Sequence, residues 1–188
     1  MKRILLTVAF LTIGLIMSAQ TVTSNERNEH GVRIIDTDMG MVYEDGKLYG
    51  ISLSYHEVHG VENYYIMFCI PEVSDSFQVL TDQRVLFKTA SENKPLGLAS
   101  IDARISYGAA AGRVMRSAVC LYVITPETAQ MLATEGVSKM RIYYTSNMKE
   151  TFFDIETTEG NISKYLKKAY KNIVKTIPQP VTKDKSEF

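Results

Sequence analysis

Alternating apolar and polar positions run through much of this chain and predict β-strands. In residues 49–55, YGISLSY, every second position is aromatic or aliphatic, and the positions between them are glycine or serine. The same period of two recurs in residues 101–107 and 140–145. Since successive side chains of a strand leave opposite faces, this pattern is typical of strands with one buried and one solvated face. Two unbroken apolar runs, residues 64–70 and 117–124, predict strands at the centre of a sheet, covered on both faces.

Short turns, not long crossovers, separate these predicted strands. Asp45–Gly46 is a dipeptide that tolerates the positive φ angles of a two-residue hairpin. Ser91–Lys94 and Gly108–Gly112 predict two further turns. Strands joined by such short connections pair antiparallel.

Two helices are predicted in the second half of the chain. The first begins with Thr125 as N-cap, Pro126 at the first helical position and Glu127 in the first turn, and it ends at Gly136. In residues 162–177 apolar positions recur every three or four residues, with lysines on the rest of the circumference. We therefore predict an α+β fold. It is mainly an antiparallel β-sheet, in one layer or two, with one short helix and a C-terminal amphipathic helix packed on the sheet.

The two ends of the chain differ from its middle. Residues 1–19 begin with two basic residues after the initial methionine and continue as a short apolar run, which is typical of a secretory signal peptide. Residues 20–31 are polar and aperiodic and predict a flexible leader, residues 32–177 a single domain, and residues 178–188 a disordered tail. We expect an exported protein, periplasmic or secreted, without a transmembrane segment in its mature form.

Composition and charge narrow the class of protein. The 188 residues include 21 basic and 21 acidic side chains, evenly mixed, which argues against a nucleic-acid-binding protein. With 45% hydrophobic and 22% charged residues, the composition is that of a globular domain. Cys69 and Cys120 both lie in apolar runs and are predicted to be buried free thiols. The sequence does not decide whether they form a disulfide. A disulfide requires Cα atoms within about 7 Å, and the sequence does not show whether the two strands are neighbours.

The densest cluster of ionisable residues lies in Tyr55–Gly60, which the pattern places in a turn. His56, Glu57 and His59 are candidate metal ligands there. Their spacing is one residue shorter than the zinc motif HExxH, which also requires a helix. A polar hairpin tip explains the same residues without a ligand. No nucleophile elbow or phosphate loop is found, so no catalytic or cofactor-binding residue is assigned and no cofactor is expected.

Two longer segments carry a resemblance to other proteins. The residues LFKTASENKPLGL, 86–98, are followed by a strand and then by ITPETAQMLATEGVSKMRIYYT, 124–145. This order resembles a strand–turn–strand and helix-to-strand pattern of small uncharacterised exported proteins of Gram-negative bacteria. The resemblance implies shared caps and turns, and it brings no functional residue with it.

The expected function is that of a non-catalytic exported protein that binds a partner protein or a component of the cell envelope. Eleven tyrosines and no tryptophan favour a contact face on the sheet or its loops. A metal-binding protein or a hydrolase that uses His56, Glu57 and His59 is one alternative. A secreted protein inhibitor that presents a hairpin loop is another. Enzymatic activity therefore stays undecided, and a non-catalytic role is favoured.

Overall fold

The computed structural model describes residues 21–27, 30–91, 95–110 and 113–178. The predicted signal peptide, residues 92–94 of the predicted hairpin loop, and the tail beyond Pro178 lie outside the described residues. Within the described part, the chain forms the following strands and helices: β1 Val22–Arg27, β2 Arg33–Thr37, β3 Gly40–Glu44, β4 Lys47–Val58, β5 Val61–Ile70, β6 Phe77–Gln78, β7 Arg84–Lys88, β8 Leu96–Ala110, β9 Arg113–Ile124, α1 Pro126–Glu135, β10 Lys139–Ser146, β11 Lys149–Glu156 and α2 Asn161–Thr176.

The strands form a mainly antiparallel sheet in the order β1-β2-β4-β5-β9-β8-β7-β10-β11. Strands β2 and β3 pair with different parts of the same edge of β4. In the same way, β6 and β7 pair with different parts of β10. The mainly antiparallel sheet and the two helices predicted from the sequence are confirmed. The sheet has a first half, built from β1 to β5 and β9, and a second half, built from β6, β7, β10 and β11.

Strand β8 joins the two halves of the sheet. Its first residues, Leu96–Ala99, pair with β7, and the stretch from Ser100 to Ala110 pairs with β9. The register shifts between Ser100 and Asp102, where the change of partner occurs. A register shift of this kind is typical of a β-bulge, which bends a strand and increases its twist.

The inward faces of both halves contribute to one hydrophobic core. In the first half, core-facing residues of three adjacent strands are cross-strand partners. They are Ile51, Leu53 and Tyr55 of β4, Phe68, Ile66 and Tyr64 of β5, and Cys120, Tyr122 and Ile124 of β9. The second half contributes the buried side chains Val85, Phe87, Met140, Ile142 and Ile155. The period of two seen in the sequence is thus the period of burial.

Helix α2 contacts β2, β3 and β4 with its apolar face. Tyr165 is the central contact: its hydroxyl donates to the Asp38 carbonyl oxygen at 2.7 Å and lies 3.0 Å from the Thr37 hydroxyl. A Cβ atom on Gly40 would lie only 2.3 Å from the Tyr165 ring, so the ring packs directly on the backbone of β3. Neither α1 nor α2, the helices of the described residues, is long and apolar enough to cross a membrane.

Two segments differ from the sequence-based expectation. Val22–Arg27, within the predicted leader, forms β1 and pairs with β2. An edge strand is held by its backbone ladder and needs little apolar burial, so its polar side chains gave no strand signal. Strand β8 extends to Ala110, into the segment predicted as a turn. There the small residues Gly108, Ala109 and Ala110 pair with β9, and residues 111–112 of the predicted turn lie outside the described residues.

Candidate functional site

The structure does not bring the predicted metal candidates together. Strand β4 reaches Val58, so His56 and Glu57 are neighbours in a strand and their side chains leave opposite faces. The His56 ring packs 4.4 Å from the Tyr65 ring, and burial lowers the pKa of His56 although Asp36 opposes the shift. Among the described residues, no group of three or more His, Cys, Asp or Glu side chains is placed to hold a metal ion.

His59, the third candidate, lies in the β4–β5 turn with a φ of 51° and is exposed. The left-handed backbone at this residue is typical of a two-residue hairpin turn, and Gly60 follows with a φ of 81°. The turn geometry therefore explains these two residues without a ligand.

Cys69 and Cys120 lie on adjacent strands and both are free thiols in the structure. Cys120 pairs in register with Phe68, and Cys69 pairs with Val119. Neighbouring positions on paired strands project to opposite faces, so Cys120 points into the core and Cys69 points away from it. This arrangement directs the two Cβ–Sγ vectors apart, which disfavours a disulfide.

A groove of about 700 Å³ opens where the β3–β4 hairpin, the segment after β5, and strands β9, β10 and β11 meet. Most of its lining is aromatic, aliphatic or methionine. The residues that line it are Met41, Tyr43, Gly46, Lys47, Leu48, Tyr49, Ile70, Pro71, Glu72, Val73, Ser74, Phe77, Met115, Tyr144 and Phe153. Concave sites with this composition bind ligands mainly by burying apolar surface.

Three aromatic rings that pack against one another form one side of the groove. Phe77 lies against Tyr144 with ring centroids 4.1 Å apart and planes at 12°. Phe153 packs at 5.9 Å from Tyr144 and at 6.4 Å from Phe77. The three residues come from β6, β10 and β11, which are paired strands. The side chains are therefore held by a hydrogen-bonded ladder and not by a loop.

The β3–β4 hairpin forms the opposite rim and exposes apolar side chains. Met41, Tyr43 and Leu48 are 44%, 49% and 46% exposed. Tyr43 and Leu48 are cross-strand partners next to the turn. Exposed large apolar side chains that are contiguous with a groove mark an interaction site more often than scattered ones do.

A third wall, the segment from Pro71 to Phe77, is fixed by Arg116. The guanidinium donates to the carbonyl oxygens of Ser74 and Phe77, the latter at 2.8 Å. The Val73 N–H donates to the Arg116 carbonyl oxygen at 3.0 Å. Hydrogen bonds from a charged donor are stronger than neutral ones. This wall is consequently ordered before any ligand arrives.

The lining of the groove also contains titratable side chains. Burial, together with the charge of Asp45, raises the pKa of Tyr49 to about 12, so this phenol is neutral at physiological pH. Lys47 and Glu72 are exposed side chains in the lining and supply one charge of each sign.

Sequence reasoning did not find this groove. Its lining comes from segments separated by up to about a hundred residues, and the pairing that joins them cannot be read from periodicity. One local signal was available. Tyr43 and Leu48 are apolar residues beside the Asp45–Gly46 turn, where polar residues are expected.

No protein-family model matches the sequence, and neither curated proteins nor solved structures include a significant match. A function is therefore inferred from the groove itself.

Proposed function

We propose that this is an exported, non-catalytic protein that binds an apolar segment of a partner protein in the groove. The observation that carries the proposal is the continuity between the exposed apolar hairpin rim and the aromatic side of the groove. Such a surface gains free energy when a partner covers it, at about 25 cal/mol per Å² of apolar area removed from water. Because Arg116 fixes the Pro71–Phe77 wall and paired strands hold the aromatic side, the ordering of these two walls adds little entropic cost to binding.

Export and the fold class belong to the same proposal. The signal-peptide pattern of residues 1–19 and the resemblance to exported Gram-negative proteins support a periplasmic or secreted location. The contact of α2 with β2, β3 and β4 supports an α+β assignment with a helical layer on the first half of the sheet. A secreted inhibitor stays an alternative prediction, and the β3–β4 hairpin is the loop that it would present.

Methionine methyl groups offer a direct test of the groove. Met41 and Met115 line it, whereas Met67 lies on the outer face of the sheet and Met131 lies in α1. A capped pentapeptide of lysine, leucine, phenylalanine, leucine and lysine is titrated into protein labelled with ¹³C-methyl methionine. The Met41 and Met115 signals are expected to shift saturably, while the signals of Met67 and Met131 stay in place.

Two controls make this titration decisive. A peptide with serine in place of leucine and phenylalanine should cause no shift, because it has no apolar surface to bury. Leu48→Ser should weaken binding of the apolar peptide, whereas Val114→Ser, at a 77% exposed position outside the groove, should not. Equal shifts at all four methionines, or equal binding of both peptides, would contradict the proposal.

A further inference from the structure

The tip of the β3–β4 hairpin is joined to the start of α2 by hydrogen bonds that run in both directions. The Glu44 side chain is fully buried, and its carboxylate accepts from the Ile162 N–H at 2.9 Å and from the Glu159 N–H at 3.2 Å. In return, the Glu159 carboxylate accepts from the Asp45 N–H at 3.3 Å. Each segment therefore satisfies backbone donors of the other.

This interface also brings two carboxyl groups together. Burial raises the pKa of Glu44, and the neighbouring Glu159 carboxyl raises it further, although the backbone N–H groups of Ile162 and Asn161 act in the opposite direction. The hydrogen bond from Glu44 lowers the pKa of Glu159. The two groups thus titrate as a pair, in which a first proton resides on Glu44 and is donated to Glu159.

Among the described residues, the other charged groups near Glu44 and Glu159 do not pair with either carboxylate. Lys47 is the cross-strand partner of Glu44, and its side chain is exposed at the turn. Asp45, the next residue in the turn, adds a further negative charge. On α2, the Lys164 ammonium donates to the Glu159 carbonyl oxygen at 3.0 Å. The Lys164 bond therefore goes to the backbone and not to a carboxylate.

We propose that Glu44 and Glu159 form a pH-sensitive latch, in which one shared proton fastens the β3–β4 hairpin to α2 and loss of that proton loosens it. With both groups ionised, two like charges face each other at the interface, and the Glu44 carboxylate also bears the cost of burial. One proton, taken from solvent, removes both penalties. Lone pairs on both carboxyl groups remain available to the three backbone N–H donors.

The direction of the pH dependence follows from the two pKa shifts. The pKa of Glu44 lies above its ordinary value of 4.5 in the folded state, so the latch closes as the pH falls through the raised value and opens as the pH rises through it. The pKa of Glu159 lies below its ordinary value, so the second proton binds only in more acidic solution. The latch therefore closes in mild acid and loosens at higher pH.

Amide hydrogen exchange of the full chain tests the latch without any ligand for the groove. The reporters are the N–H groups of Asp45, Glu159 and Ile162, with protection factors corrected for the intrinsic exchange rate at each pH. Between pH 4.5 and pH 8 their protection should fall, by up to about tenfold for each unit by which the pKa of Glu44 is raised. The amide of Ile66, in the centre of the sheet, should keep its protection.

Two variants separate the latch from a general effect of pH. In Glu159→Gln the second charge is gone and the amide can still bond to Glu44, so protection should fall less between pH 4.5 and pH 8 than in the wild-type protein. A smaller fall remains, because burial still raises the pKa of Glu44. Glu127→Gln removes a first-turn acid from α1 instead and should retain the wild-type profile. Flat protection in the wild-type protein, or a wild-type slope in Glu159→Gln, would overturn the latch. Neither result depends on whether the groove binds a partner.

Discussion

Burial decides the chemistry of the two cysteines. Cys120 is only 2% exposed in the core, and burial raises the pKa of its thiol to about 11. Cys69 is half-buried on the outer face, and burial also raises its pKa. Since the thiolate is the reactive form, both residues should be poor nucleophiles at neutral pH. Neither position has the features of a catalytic or redox-active thiol.

Thiol labelling at pH 8 should resolve these two residues. Cys69 is expected to react more slowly than a free cysteine, and Cys120 more slowly still, because its sulfur is shielded by the sheet. After unfolding without a reductant, both thiols should label completely. Cys69→Ser should leave only the slow phase. Labelling that appears only after reduction would show a disulfide and contradict the geometry.

Sequence alone placed both cysteines in apolar runs but did not distinguish their environments. The difference depends on register, because a shift of one residue between β5 and β9 would move one of the two side chains to the other face. For the same reason the pattern could not show that His56 and Glu57 diverge. Their separation required knowing that β4 continues to Val58.

At the scale of secondary-structure elements, α2 packs directly on the backbone of β3 at Gly40. Gly40→Ala would place a Cβ atom 2.3 Å from the ring of Tyr165, which is itself buried and hydrogen-bonded. We expect a loss of about 1–3 kcal/mol in the free energy of unfolding, as for other overpacked cores. Urea denaturation measures this loss.

Gly108→Ala is the matched control for this substitution. Gly108 is also a strand glycine, but an added Cβ atom there would meet nothing within 4 Å. Stability should change by less than about 1 kcal/mol, in either direction. Equal losses in both variants would show that glycine itself, and not the Tyr165 contact, matters at position 40.

Local signals explain which elements the sequence predicted well. Helix α1 begins after Thr125, whose hydroxyl accepts from the Thr128 N–H at 3.3 Å, and Gly136 follows its last residue. Caps and periodicity are encoded within a few residues, so such elements can be read directly. Strand β1 depends on a partner strand and on no apolar pattern of its own, which is why the same reasoning missed it.

For the whole molecule, Arg116 connects the two halves of the sheet. It lies on β9 of the first half, and its guanidinium donates to the carbonyl oxygen of Phe77, the first residue of β6 in the second half. Because β6 also carries an aromatic side chain of the groove, this bond links the stability of the fold to the shape of the groove.

Replacing Arg116 should therefore affect both stability and binding. Arg116→Met keeps much of the apolar stem and removes the charged donors, with an expected loss of about 1.5–3 kcal/mol in unfolding free energy. Arg104→Met removes an exposed arginine from β8, whose ion pair with Asp102 spans 3.9 Å, and should cost less than about 1 kcal/mol. Chemical denaturation compares the two variants, and similar losses would argue against a role for Arg116 as a connector.

Strand β8 has a consequence for how this protein can be divided. The first residues of β8 pair with β7 in one half of the sheet, and its remaining residues pair with β9 in the other half. A shortened gene that ends before Leu96 therefore leaves β7 without its partner strand β8, and one that starts after Ala110 leaves β9 without it. Such a fragment would present an unpaired edge to other copies and would tend to aggregate. Two fragments expressed together could reassemble only if one of them carries β8 intact.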